Sequence, residues 1–219
     1  MKKILFQGDS ITDCHRTKLP MENMGAGYPL LVQAKLGFEN PGKYEFVNRG
    51  ISGNRIVDIY ARIKADIINL APDYMSLLIG VNDVWHDFDF QNGVSADKYE
   101  KLYCMLIEEI REALPNIKLM ILEPFCIEGM STQNTEEAPN KLNEFSSEVR
   151  KRAAKAKAVA EKYGIIFIPL QDKFDEAAKV VGNEYWIADG VHPAIAGHEL
   201  IKREWLKAFE TLKNDDETV

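Results

Sequence analysis

Ile4-Leu5-Phe6-Gln7-Gly8-Asp9-Ser10-Ile11-Thr12 runs an apolar segment, predicted as a β-strand over 3–7, straight into a glycine, an acid and a hydroxyl. Two later stretches have the same form. Gly50-Ile51-Ser52-Gly53-Asn54 follows the strand-like Tyr44-Glu45-Phe46-Val47-Asn48, and Gly80-Val81-Asn82-Asp83-Val84-Trp85 follows Met75-Ser76-Leu77-Leu78-Ile79. Between these runs apolar residues return every three or four positions, at Leu30, Leu31, Ala34 and Leu36, and at Ile56, Ile59, Tyr60, Ile63 and Ile67, which is the helical period. A helix over 96–113 with Ser95 as N-cap, a strand over 117–122, a helix over 139–163, a strand over 165–168 and helices over 172–180 and 194–212 complete the pattern. Five strands alternating with helices predict an α/β fold, a three-layer α/β/α arrangement around a five-stranded parallel sheet, because parallel neighbours need crossover connections that cover both faces. Sites in such sheets form beyond the carboxyl ends of the strands. Ser10, Gly53 and Asn82 all fall there.

A Gly-Asp-Ser taken alone is turn chemistry, since glycine supplies unusual dihedrals while Asp and Ser bond nearby backbone. It gains meaning from Ala188-Asp189-Gly190-Val191-His192-Pro193 near the other end of the chain. A serine hydroxyl attacks only when a base takes its proton, and a neutral imidazole within reach does this. A carboxylate on the other ring nitrogen fixes the tautomer and stabilises the imidazolium that forms. Asp189 and His192 stand on one short loop, so the acid can aim the ring at a serine brought near by the fold.

The four segments together resemble the SGNH subgroup of the GDSL hydrolases, named for a Ser, a Gly, an Asn and a His in four sequence blocks. All four blocks occur in order between Gly8 and His192. The resemblance implies Ser10 as nucleophile, Asp189 and His192 as its triad partners, the backbone N–H groups of Ser10 and Gly53 with the Asn82 amide as an oxyanion hole, a flavodoxin-like sheet and the strand order 2-1-3-4-5. Flanking residues narrow it further. Gly8-Asp9-Ser10-Ile11-Thr12-Asp13-Cys14, Gly27-Tyr28, Asn48, Asn82-Asp83-Val84-Trp85, Pro124-Phe125, Ile127-Glu128-Gly129 and Ala196-Gly197-His198 are similar to those of intracellular acetylxylan esterases, a group of carbohydrate acetyl esterases. A serine esterase that deacetylates xylo-oligosaccharides or related sugars through an acetyl-serine is the expected function. The alternatives are an SGNH esterase, thioesterase or lysophospholipase acting on other short acyl esters, and a carbohydrate-binding protein that has lost catalysis; intact Ser10, Asp189 and His192 argue against the last.

Substrate choice is expected in three loops, 12–27, 85–95 and 123–138, where aromatic rings stand beside carboxylates in a way that suits a sugar. Asp9, Tyr28, Trp85 and Trp186 are the expected substrate-binding residues. Phe88 and Phe90 read as packing the loops on the sheet, and packing is also open to Phe125. His15, His86, His192 and His198 show no metal-ligand spacing, and the chemistry requires neither metal nor organic cofactor. His198 reads as a structural hydrogen-bonding residue.

The 219 residues, 46% hydrophobic and 28% charged, suffice for one buried core. No Pro/Ser/Gly-rich linker divides them, so a single domain over 1–212 with a polar tail over 213–219 is expected. The apolar run after Lys2-Lys3 ends at Gln7, shorter than a signal peptide requires, and the expected compartment is the cytoplasm. Cys14, Cys104 and Cys126 are widely spaced and odd in number, as expected of reduced thiols, with Cys14 read as a buried structural one. A net charge of −7 disfavours nucleic acid or an anionic membrane as partner and leaves a small acylated molecule. The family resemblance is also compatible with a homo-oligomer.

Overall fold

In the structure, a computed structural model, residues 1–17 and 23–217 are described, with side chains to residue 213. Five strands, β1 (Lys2–Gly8), β2 (Tyr44–Asn48), β3 (Tyr74–Leu78), β4 (Lys118–Leu122) and β5 (Ile166–Ile168), form one sheet in the order β2-β1-β3-β4-β5. Every neighbouring pair is parallel, with Phe6 opposite Asn48, Gly8 opposite Leu78, and Leu78 opposite Leu122. The order reverses at β1, and β1 and β3 are where the chain leaves in opposite directions across the sheet. Ser10 and Asn82 follow those two strands, at the switch point where α/β sheets form their crevice.

Successive strand residues face opposite sides, and two cores result. Ile4, Phe6, Leu78, Met120 and Leu122 pack under α2 (Tyr28–Glu39), α8 (Gln171–Val181) and α10 (Ile195–Glu217), meeting Val32, Phe174, Trp205 and Phe209. Leu5, Met75, Leu77, Leu119 and Ile121 face α3 (Ile56–Ala61), α6 (Ala96–Ala113) and the second half of α7 (Lys141–Tyr163), meeting Ile59, Tyr103, Leu106 and Val159. Each such side chain, almost wholly removed from water, contributes roughly 1.5–3 kcal/mol of transfer free energy.

The elements depart from the sequence expectation where polar groups control them. The predicted loop over 85–95 is mostly helix, since α5 covers Val81–Phe90. Val81, Val84, Trp85 and Phe88 recur at helical spacing, and Trp85 and Phe88 set their rings against Phe145 of α7 at 6.0 and 5.5 Å; the exposed acids Asp87 and Asp89 hid that face. The expected helix over 56–67 is broken at Arg62 into α3 and α4 (Ile63–Asp66), because the Arg62 guanidinium turns to Gln7, Arg49, Asn54 and Asp66. Two short helices had no sequence signal: α1 (Ser10–Asp13) and α9 (Asn183–Trp186). Ser95 stands at the N-cap of α6, but its side chain makes no capping bond. The last helix extends to Glu217 where a tail was expected from Lys213, and residues 218–219 lie outside the described residues, as do 18–22 of the expected loop 12–27. No described helix is long and apolar enough to cross a membrane.

Candidate active site

Ser10 is the first residue of α1, two positions after the end of β1, so its backbone N–H has no acceptor within the helix. Asp9 caps that turn, its Oδ1 accepting the Ile11 N–H at 3.0 Å. The cap is fully buried. Burial pushes the Asp9 pKa up to about 7, against the opposing Ile11 N–H and the charge of His192.

Ser10 Oγ lies 2.8 Å from His192 Nε2, and His192 Nδ1 lies 2.6 Å from Asp189 Oδ2. The other Asp189 oxygen accepts the backbone N–H groups of Val191 (2.9 Å) and His192 (2.7 Å), so the acid holds both the ring and the backbone that carries it. Burial would raise the Asp189 pKa, but the His192 side chain and these two N–H groups outweigh it and leave it below the ordinary carboxylate value. His192 moves the other way: its bond to Asp189 raises its pKa despite partial burial. An ionised Asp189 requires the proton on Nδ1, which leaves Nε2 as the acceptor for the Ser10 hydroxyl. The Asp189 loop is in turn braced by the segment after β4. Ile127 N–H donates to Gly190 O, and Met130 and Ser131 N–H groups donate to Ala188 O and Asp189 O at 2.9–3.1 Å.

Gly53 occupies a turn closed by the Asn54 N–H on Ile51 O, at φ 81°, a left-handed position that glycine takes without strain. Asn82, near the start of α5, spends one amide hydrogen on Asn54 O at 3.1 Å and keeps the other. The space above Gly53 contains His86 Nε2, 3.9 Å from where a Cβ would stand. Burial and then Arg55 lower the His86 pKa, favouring a neutral ring. Around Ser10 a cleft of about 630 Å³ opens between His192 and a wall of Asp13, His15, Arg16 and Ser52. Among the described residues no three His, Cys, Asp or Glu side chains come together to hold a metal.

The model of the GDSL-like lipase/acylhydrolase family matches residues 6–200 of the chain. The chain belongs to that family. This GDSL acylhydrolase is 34% identical, over 97% of its own length and 97% of the relative's, to an acetylxylan esterase of Geobacillus stearothermophilus. The crystal structure of an acetylxylan esterase from that organism superposes with a TM-score of 0.81 at 33% identity, covering 94% of this chain and 93% of that one. A structure described as a GDSL-like lipase, from Parabacteroides merdae, superposes with a TM-score of 0.85 at 33% identity and 94% coverage of both chains. The GDSL acylhydrolase is a carboxylic ester hydrolase, and its five-stranded parallel sheet is the fold these relatives share.

None of the four residues expected to bind substrate lines this cleft, though the Trp85 ring lies 6.0 Å from that of His192. Tyr28 is fully buried against Phe6, with its hydroxyl 3.1 Å from that of Thr12, so it packs the core and reaches no ligand. Asp9 is likewise buried and shapes the Ser10 turn from beneath. Trp186 turns away, giving its indole N–H to Ala177 O and lining a separate groove between α8 and α10. Phe125 stacks on Phe174 in the core. His198 is structural as expected. Its Nδ1 accepts the Tyr28 N–H, and burial, with the charge of His192, lowers its pKa to about 4. Cys14, expected to be buried, is half-exposed at the cleft with its sulfur 3.4 Å from His198 Nε2. Ser52 went unnoticed as a wall residue, since nothing in a Gly-Ile-Ser-Gly-Asn turn says which way its serine faces.

Proposed function

We propose that the chain removes short acyl groups, acetyl above all, from acylated sugars such as xylo-oligosaccharides, through a serine ester. The observation that carries this reading is the hydrogen-bonded chain Ser10–His192–Asp189 opening into a cleft walled by Asp13, His15, Arg16 and Ser52. His192 takes the Ser10 proton as Oγ attacks the ester carbonyl, Asp189 stabilises the imidazolium, and His192 returns the proton to the departing alcohol. Water then repeats the sequence. The oxyanion forms among the N–H groups of Ser10 and Gly53 and the free amide hydrogen of Asn82, donors set before the reaction starts. No metal or organic cofactor enters these steps. The polar wall favours a hydroxyl-rich leaving group over a long acyl chain, which would need apolar lining. The acetylxylan esterase relatives support the same reading, and in the Geobacillus enzyme variants at a serine and at an aspartate are described as catalytic mutants.

The test is acetate release across acetylated xylo-oligosaccharides, other acetylated sugars and simple acyl esters of increasing chain length. Sugar acetates should lead, and Ser10→Ala should reduce turnover by about 10⁴-fold or more and block labelling by a serine-reactive phosphonate. Faster cleavage of octanoyl than acetyl esters would overturn the substrate reading, and retained turnover in Ser10→Ala would remove Ser10 from its role.

A further inference from the structure

Two consecutive residues other than glycine, Cys14 (φ 39°) and His15 (φ 61°), take the left-handed conformation directly after the helical turn of Ser10. That conformation crowds Cβ against the following carbonyl, and it persists in such residues only where the surroundings over-determine it. Here they do. Cys14 N–H donates to Ser10 O at 2.8 Å, Arg16 N–H to Asp13 O at 3.0 Å, and Ala26 N–H to Cys14 O at 2.8 Å.

The fold has a use for every neighbouring side chain of this turn except one. Asp13 accepts the N–H groups of Arg16 and Ser52, the Arg16 guanidinium donates to Gly50 O at 2.8 Å, and Cys14 meets His198. His15 is exposed, and among the described residues nothing hydrogen-bonds its ring. It lines the cleft together with Ser10, Ser52, His192 and Pro193. Packing therefore gives no reason for an imidazole at a position where glycine would sit unstrained.

The reaction geometry supplies one. The leaving alcohol oxygen must come within reach of His192 Nε2, whereas Gly53 and Asn82, which receive the oxyanion, do not line this cleft. The group that bears the leaving oxygen thus fills the space between His192 and His15. We propose that His15 is a specificity-determining residue, its ring hydrogen-bonding a hydroxyl of the departing sugar. This inference rests on the acetyl-sugar reading above.

The experiment compares kcat/KM for an acetylated xylo-oligosaccharide with kcat/KM for 4-nitrophenyl acetate, whose leaving group has no such hydroxyl, in the wild type, His15→Gly and His15→Asn. In His15→Gly the ratio of the two should fall about tenfold, through KM of the sugar ester, the size of one lost hydrogen bond. The thermal midpoint should rise by about 2–4 °C as the left-handed strain is relieved. Asn tolerates this backbone region and keeps a donor and an acceptor, so His15→Asn should hold the ratio within about threefold of wild type. A ratio within twofold of wild type in His15→Gly overturns the proposal whichever way the midpoint moves, and His15→Asn falling as far as His15→Gly overturns it too. If the wild type releases no acetate from any sugar ester, the acetyl-sugar reading falls and this inference with it; an active wild type with an indifferent His15→Gly defeats the inference alone.

Discussion

On the Gly53 and Asn82 side of Ser10 the chain is pinned by buried polar groups, while on the His15 and His192 side it opens to solvent. Buried Asn48 anchors the turn at Gly50, accepting the Gly50 N–H and donating to Thr12 O and Met24 O of the loop that carries His15. Arg62 joins Gln7, Arg49 O and Asn54, and the buried Asp83 carboxyl group receives the Ile56 N–H. On the other side Asp189 grips His192 and backbone bonds fix the turn of Cys14 and His15, but the His15 ring itself is held by nothing among the described residues. Donors for a transition-state charge work only when no reorganisation is left to do, whereas a sugar hydroxyl can be met by a group that adjusts. On the roles proposed above, the difference in build follows the difference in task.

Three substitutions probe that contrast. Asp189→Asn should have the largest effect, about 10⁴-fold in kcat as in other serine triads, because the ring loses its tautomer and its counter-charge. The pH profile should respond as well. His192 must be neutral to act, and its bond to Asp189 raises its pKa, so wild-type kcat/KM is lost as pH falls through a point above the ordinary histidine value of about 6.5. In Asp189→Asn that acidic limb should move to lower pH, and an unmoved limb would separate His192 from the titration.

Asn82→Ala comes next, with an expected loss of about 10²–10³ in kcat and little change in KM. Set beside a His15 variant that acts through KM, this would mark the two sides as serving different states of the reaction. A loss below about fivefold would mean that Asn82 only holds the Asn54 turn.

Asp9→Asn should act on stability. A carboxyl whose pKa is about 7 when folded and 3.8 when unfolded binds the proton more tightly in the native state, so wild-type stability declines as pH rises from about 4 to 7. Asparagine keeps an acceptor for the Ile11 N–H without the charge. Denaturant titrations should show the variant gaining on the wild type across that window by about 4 kcal/mol at most, with no further gain above it. A constant difference between pH 4 and 8 would mean that Asp9 is ionised throughout.

Much of this layout was legible in the chain. Apolar runs ending in Gly8, Asn48 and the Ile79-Gly80 pair placed the strands within about a residue, since buried parallel strands read as continuous hydrophobic segments. The acid and base on one loop were visible as well, three residues apart at Asp189 and His192. What escaped were the directions of side chains. Trp186 stands as near its block in sequence as Trp85 does, three residues away, yet it bonds Ala177, and Tyr28 is sealed under Phe6, because helix rotation and core packing decide which face an aromatic presents. The α5 helix escaped for a related reason, its apolar stripe being interleaved with acids that face water.

By itself, then, the amino-acid sequence determined the α/β class and the family and singled out the nucleophile, base and acid we propose, because strand period, turn residues and nucleophile–base–acid logic are local and survive without coordinates. Only the tertiary structure decided that Ser10 and His192, 182 positions apart, meet at 2.8 Å, and which side chains wall the cleft. Those outcomes depend on how five strands pair and how the loops beyond them pack, and long-range packing has no signature in any short stretch of chain.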